Sequence, residues 1–262
     1  MRSMLESDPM MIRVTSNLRA RVRRSWIHTW KISKLDAELR YRPVVDALPV
    51  LTGPVCEIGS GPAGLATWTG REVIGVDPGD DARHGVIESP PNFRRIVADG
   101  ANIPLAARTV SAAVAVDVLE HVSAEKRQAI VSEMIRVTAA GGRVVIMGPV
   151  AAASAAADRR LRAKLHSRGI HGGITVWLDE HIENGVPELE ELVGYLQDER
   201  VARVTARGVF NLRLWWMMHL VSMGALPWFN SLHALAWWPL AAVARRFHCG
   251  DCYRTLVVAD II

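Results

Sequence analysis

The sequence predicts an α/β fold, a doubly wound and mostly parallel sheet closed by an antiparallel C-terminal strand. Three observations carry the prediction. Short β-rich runs alternate with helical stretches between residues 43 and 150, an order that implies parallel strands joined by crossovers. The first run leads into a glycine-rich loop, Gly59-Ser60-Gly61-Pro62-Ala63-Gly64. The leading runs each carry an acidic residue at their ends: Glu57, Asp77, Asp99 and Asp117. Ligands of open α/β sheets sit outside the carboxyl ends of the strands, so these four carboxylates mark one edge.

The elements follow in order. Over residues 10–32, Val14, Leu18, Val22, Trp26 and Trp30 recur at i+4 with arginines between them, which predicts an amphipathic helix. Arg42–Leu51 reads as a second helix, stopped near Gly53-Pro54. Val55–Ile58 is the first strand and Leu65–Thr69 a short helix. Glu72–Val76, Arg95–Ala98 and Ala112–Val116 are the next strands. Glu125–Thr138 is an amphipathic helix bearing Ile130, Met134, Ile135 and Val137, with Gly141-Gly142 placed to cap it. Arg143–Met147 is again a strand. Beyond Pro149 the pattern fades: Ala151–Ala157 reads only as an alanine-rich run and His166–Gly173 as a loop. Pro187–Arg200 predicts a helix. Ala202–Phe210 and Tyr253–Asp260 predict an antiparallel pair flanking a Trp-rich helical insertion. The chain thus divides into an N-terminal helical lid at 1–42 and a domain at 43–262, with a less regular, lid-like region at 151–200 and an insertion at 211–248.

The 262 residues are 50% hydrophobic and 22% charged, which suits a full core and excludes disorder. The net charge of +4 is uneven. Residues 1–42 hold ten arginines and lysines against four acidic residues, so the remainder is slightly acidic. Such an arm suits phosphate, anionic lipid or an acidic substrate, or is a solvated helix face. Lys31, Lys34, Lys126 and Lys164 are the only lysines; arginine and alanine in their place suggest a high-GC genome. Cys56, Cys249 and Cys252 make no disulfide framework, and one CxxC pair falls short of a zinc site. The N-terminus lacks the apolar run of a secretory signal, so a cytoplasmic location is expected. Leu214–Ala244 carries no formal charge and is long enough to span a bilayer. Pro227, Pro239, His219, Asn230, Ser231 and His233 interrupt it, so a buried or interfacial hairpin is expected instead. Trp215, Trp216, Trp228, Trp237 and Trp238 leave open a hydrophobic cover, a homo-oligomer face, substrate binding or peripheral contact with the inner membrane surface.

The glycine loop lets backbone turn tightly beside a helix N-terminus and approach a ligand closely. Alone it also fits a dinucleotide site, with Asp77 on a ribose hydroxyl. Glu57 argues against that: beside a pyrophosphate its carboxylate repels, whereas beside a ligand's ammonium it attracts. Asp99-Gly100 offers a carboxylate and an N–H side by side, the complement of an adenine edge.

Val55–Gly64, Val73–Asp77, Ile96–Pro104 and Ala113–Val122 together resemble the class I S-adenosylmethionine-dependent methyltransferases. The string Val118-Leu119-Glu120-His121-Val122 is similar to the signature of that family's small-molecule branch. The resemblance covers roughly residues 43–150. It implies a Rossmann-like fold, S-adenosylmethionine as cofactor and S-adenosylhomocysteine as product. By position, Glu57, Gly59, Ser60 and Gly61 would surround the methionine part. Asp77 and Pro78 would meet the ribose, and Asp99, Gly100 and Ala101 the adenine. Asp117, Val118 and Leu119 would lie near the sulfonium. Pro62 departs from the pattern, since it removes a backbone donor. Should Mg²⁺ be required, Asp117, Glu120 and His121 are its candidate ligands.

The stretch Trp177–Pro187 is similar to a segment of bacterial methyltransferases acting on sugars and glycans, where it forms part of the acceptor lid. This implies O-methylation of a sugar or polysaccharide hydroxyl, as in the actinobacterial, including mycobacterial methylmannose-polysaccharide, methyltransferases. A hydroxyl acceptor benefits from a general base; His121, His181 and His171 are the candidates, with His166 and Glu180 nearby in sequence. His121 could equally serve only as a hydrogen-bonding group in the fold. The rival functions are a lipid or quinone methyltransferase at the membrane surface and a non-catalytic subunit that binds S-adenosylmethionine. Nucleic acid is not expected as partner: the basic charge sits in one arm, and no Asn-Pro-Pro-aromatic motif follows the fourth strand.

Overall fold

A computed structural model describes residues 36–79, 89–169, 171, 174–222 and 250–262. The helix expected over 10–32, the loop 80–88, Cys249, and the insertion beyond residue 222 with Trp228, Trp237 and Trp238 lie outside the described residues. Seven strands form one sheet: β1 (Val55–Ile58), β2 (Val73–Asp77), β3 (Phe93–Val97), β4 (Val110–Val116), β5 (Thr138–Pro149), β6 (Val201–Asn211) and β7 (Cys252–Ile261). Their order is β3-β2-β1-β4-β5-β7-β6. The first five are parallel, and β7 runs antiparallel between β5 and β6. The order reverses between β1 and β4, and a crevice for ligands opens at such a switch point.

Each strand reads as its position demands. β1 and β4 are buried along their whole length, as apolar runs covered on both faces must be. β6 closes one edge and is mostly solvated; Arg203 and Arg207 on it discourage further strand pairing. Helices cover both faces: α1 (residues 36–47), α2 (Ala124–Val137), α3 (Ala151–His166), α4 (Ile174–Asn184), α5 (Leu189–Tyr195) and α6 (Leu212–Ser222). Leu39, Val44, Leu161 and Trp215 of α1, α3 and α6 pack on one face. Ile130, Met134 and Leu192 of α2 and α5 pack on the other.

Several elements differ from expectation. Residues 36–47 are one helix, so the helix expected at Arg42–Leu51 lies earlier and crosses the boundary drawn at residue 42. The helix after the glycine loop is a single 3₁₀ turn, Gly64–Thr67. Gly141 and Gly142 do not cap α2. That helix ends at Val137, Thr138 turns directly into β5, and both glycines lie within the strand. A Cβ on Gly142 would stand 2.5 Å from the Ser111 carbonyl oxygen, so close strand approach fixes that glycine. The alanine-rich run is the first half of α3; alanine is the best helix former, and Ser154, Ala157, Asp158, Leu161 and Leu165 form its buried stripe. The helix expected over Pro187–Arg200 shrinks to α5, opened by a capping box between Glu188 and Glu191. Trp215 is 2% exposed and stacks on Tyr253 with ring centroids 3.8 Å apart, which makes it core rather than docking surface. Among the described residues, no helix is long and apolar enough to cross a membrane.

Candidate active site

The glycine loop leaves β1 with Gly59, Gly61 and Gly64 all at positive φ. A Cβ on Gly59 would lie 2.6 Å from Cγ2 of Val118, so this loop packs against the turn after β4. Glu57 is completely buried. Its Oε2 accepts the Leu65 N–H at 2.6 Å, while Oε1 is buried with no hydrogen bond within 3.5 Å, and the buried Tyr41 hydroxyl also acts on this carboxyl. Burial pushes the carboxyl up to about 8, against the lowering pull of the Leu65 N–H. Ser60 is buried and donates to the Gly61 carbonyl.

Asp77, at the end of β2, accepts the Gly61 N–H at 3.0 Å and the Gly79 N–H at 2.8 Å. It thereby ties the second strand to the glycine loop; Pro78 beside it is exposed. Asp99 accepts the Ala101 N–H at 3.0 Å and pairs with Lys126 at 2.6 Å. The Lys126 hydrogen bond, then the Ala101 N–H, hold its carboxyl below the usual range. Gly100 is buried, and a Cβ there would meet Ile58 at 2.6 Å. The carboxylates at 77 and 99 and the open oxygen of Glu57 thus stand at the ends of neighbouring strands.

Asp117 follows β4 at φ 51 and is engaged elsewhere. Arg254 reaches it at 2.9 Å and Arg40 at 3.0 Å. Arg254 also pairs with Asp36 at 3.1 Å, so α1 and β7 are pinned to the end of β4. Burial raises the Asp117 carboxyl, but Arg254 and Arg40 together outweigh it and hold it well below the usual carboxylate range. Held by two arginines, Asp117 does not gather with Glu120 and His121, contrary to the ligand set inferred from the sequence. Val118 is half-buried and Leu119 buried.

The 3₁₀ turn Leu119–His121 faces α4, and there a side-chain cluster forms. His121 Nδ1 lies 2.8 Å from Glu180 Oε2. His181 Nδ1 lies 2.9 Å from Asp158 Oδ2, whose other oxygen accepts the Tyr253 hydroxyl at 2.6 Å. The two Nε2 atoms face each other at 3.3 Å. Glu120 is 1% exposed; its Oε1 is 4.0 Å from His181 Nε2 and has no hydrogen-bond partner. Beside it a small cavity is lined by Val118, Leu119, Met147, Gly148, Pro149 and Pro187. Arg127 bolts the cluster together: buried in α2, it donates to the carbonyls of Leu119 and Asn184, each at 2.8 Å, and of Gly185. Asn184 in turn donates to the His121 carbonyl at 3.2 Å.

The structure therefore brings His121, His181 and Glu180 together. His171 is exposed and stands against His166 instead, with ring centroids 4.8 Å apart. Sequence reasoning passed over Asp158 and Arg127. Both carry a signal in retrospect, a charged residue on the apolar stripe of a helix: Asp158 among Ser154, Leu161 and Leu165, and Arg127 below Ile130 and Met134. Such a charge must be paired to be buried.

Residues 56–146 match the methyltransferase domain family. In a sequence search no curated protein matches the chain. Among solved structures it is similar to geranyl diphosphate C-methyltransferase of Streptomyces coelicolor, with TM-score 0.53 and 16% identity over 85% of this chain and 76% of that one. It is also similar to a Haloferax volcanii methyltransferase bound to its Trm112 activator, with TM-score 0.53 and 12% identity over 89% and 93% of the two chains. Phosphoethanolamine N-methyltransferase 2 of Haemonchus contortus follows, with TM-score 0.51 and 13% identity over 83% and 51%. The strand order is that of the Rossmann-like fold these methyltransferase structures share, and the segment matched by the family model spans β1 to β5. Proteins of that fold in this comparison include C- and N-methyltransferases, so the fold leaves the acceptor atom open.

Proposed function

We propose that this domain transfers the methyl group of S-adenosylmethionine to a hydroxyl of a small-molecule acceptor, a sugar or polysaccharide by preference. The observation that carries the reading is the pair of carboxylate-held imidazoles, His121–Glu180 and His181–Asp158, formed where the turn after β4 meets α4. The residues fit the cofactor. The buried, unpartnered oxygen of Glu57 suits its ammonium. Asp77 accepts one N–H on each oxygen, which leaves lone pairs for two ribose hydroxyls. Asp99 and Gly100 suit the adenine edge.

Methyl transfer is a displacement at a cationic sulfonium. An acceptor oxygen forms a bond to the methyl carbon as the carbon–sulfur bond breaks, and sulfur leaves as a neutral thioether. The hydroxyl proton must go elsewhere, and His121 or His181 is the base that would take it. Holding acceptor and donor in line supplies much of the rate. A sugar acceptor is favoured by α4, which joins Glu180 and His181 to Trp177, 55% exposed; aromatic faces pack on sugar rings. Val176 and Ile182, exposed on the same helix, favour instead an acceptor at a lipid surface. Liposome binding that depends on Trp177 would select that second reading.

The test is a methyl-transfer screen of sugars, glycans, lipids and quinones with labelled S-adenosylmethionine. His121→Ala and His181→Ala are expected to keep their affinity for S-adenosylhomocysteine and lose about 10²–10⁴-fold in turnover; unchanged rates in both would remove the base assignment. Asp77→Ala is expected to lower affinity for S-adenosylhomocysteine by about tenfold or more in calorimetry, since two charge-assisted hydrogen bonds are lost. Equal binding by wild type and variant would refute the cofactor placement.

A further inference from the structure

We propose that Glu120, His121 and His181 hold a divalent transition-metal ion of the zinc type. Each of the three offers one ligand atom, and these atoms lie within 4.8 Å of one another. The two Nε2 atoms are 3.3 Å apart, and Glu120 Oε1 is 4.0 Å from that of His181. Ligands about 2.1 Å from a tetrahedral ion stand roughly 3.4 Å from each other, so a small closure of Glu120 completes the set.

The outer contacts point the same way. Both Nδ1 atoms face carboxylates, Glu180 and Asp158, and the Tyr253 hydroxyl fixes Asp158. In neutral imidazoles this arrangement keeps the proton on Nδ1 and turns the Nε2 lone pairs toward each other. Two lone pairs 3.3 Å apart, with the orphaned Glu120 oxygen beside them, repel unless a cation lies between. A carboxylate behind each ligating histidine is the usual support of a metal site. Two imidazoles and one carboxylate suit zinc-like ions, whereas Mg²⁺ prefers oxygen ligands and retained waters. Three protein ligands leave one position open, as catalytic sites do.

What the ion would do rests on the hydroxyl-methylation reading; its binding does not. The ion would make an acceptor hydroxyl in the open position more acidic, and its proton would go to solvent; the oxygen would bond to the methyl carbon as the carbon–sulfur bond breaks and sulfur leaves as the thioether. In that state the imidazoles are ligands rather than bases. The alternative occupant of the gap is a proton shared between the rings.

The experiment uses the full chain without an affinity tag, stripped by chelator and titrated with Zn²⁺ and, separately, Mg²⁺ by calorimetry with metal analysis. One Zn²⁺ per chain is expected, with Mg²⁺ at least 100-fold weaker. His121→Ala and His181→Ala should lose at least 100-fold in Zn²⁺ affinity while keeping S-adenosylhomocysteine binding. Glu180→Gln, a conservative change at a partly exposed site, should lose about 10-fold or more. No stoichiometric Zn²⁺, or equal Zn²⁺ binding in wild type and both histidine variants, would overturn the site and leave the shared proton. Zinc bound as expected with no hydroxyl methylated would instead refute the hydroxyl-methylation reading alone. Hydroxyl methylation insensitive to chelator would refute the metal alone.

Discussion

Arg254→Met is expected to lower the melting temperature by about 10 °C at neutral pH. The guanidinium is 6% exposed on β7 and pairs with both Asp117 and Asp36. Methionine matches its bulk but leaves Asp117 with Arg40 alone and Asp36 with a weaker 3.6 Å contact to Arg40. Breaking a buried ion pair from one side costs roughly 3–5 kcal/mol, because the remaining charge stays buried. Each kcal/mol moves the midpoint by about 2–4 °C in a chain of this size. The sign with pH is fixed as well. Asp117 and Asp36 are held below their ordinary value of 3.8; in both, burial pushes upward and Arg254, with Arg40, outweighs it. Their contribution is therefore present above that value and lost as pH falls through the folded one. The gap between wild type and variant should narrow below about pH 4. Thermal melts at pH 7 and pH 3 check both points; a gap under about 1 kcal/mol at pH 7 would mean that the network does not hold α1 and β7 to β4.

Glu57→Gln is expected to make the cofactor-free protein more stable at pH 9 while leaving it little changed at pH 4. Burial pushes the Glu57 carboxyl up to about 8 from 4.5. A carboxyl raised in the folded state contributes stability that is complete below its unfolded value and is lost as pH rises toward the folded one. At roughly 1.4 kcal/mol per unit, wild type should lose on the order of 4 kcal/mol through this group between pH 4.5 and pH 9. Glutamine keeps an oxygen for the Leu65 N–H and cannot ionise, so the variant should show little of that slope. Denaturant midpoints across the range decide it; parallel slopes would mean that Glu57 ionises freely in the folded chain. The same variant should bind S-adenosylhomocysteine more weakly if the open oxygen meets the ammonium.

The parallel half of the sheet was legible because its signals are local. Val55–Ile58 and Ala112–Val116 are apolar runs wherever they occur, and the glycines after β1 announce a tight turn. The second half was not. Ala151–Ala157 has no hydrophobic period, so the stripe it shares with Asp158, Leu161 and Leu165 emerges only when α3 is docked. Gly141-Gly142 looks like a helix stop by composition, yet both lie within β5, where Gly142 is fixed by the Ser111 carbonyl of a neighbouring strand. Asp117 shows the same limit at the site: its position after β4 was correctly read, but its partners Arg40 and Arg254 lie 77 and 137 residues away.

The loop after Glu57 and the carboxylates at 77 and 99 were determined by sequence alone, because a strand end and its following turn are neighbours in the chain. Which side chains meet at the turn after β4 was decided only by tertiary structure. His121, His181 and Asp158 belong to three separate elements, and Arg127 and Asn184 bolt two of them together. Long-range packing, not chain proximity, sets which of the imidazoles face each other, and so His171 falls away while His181 joins His121.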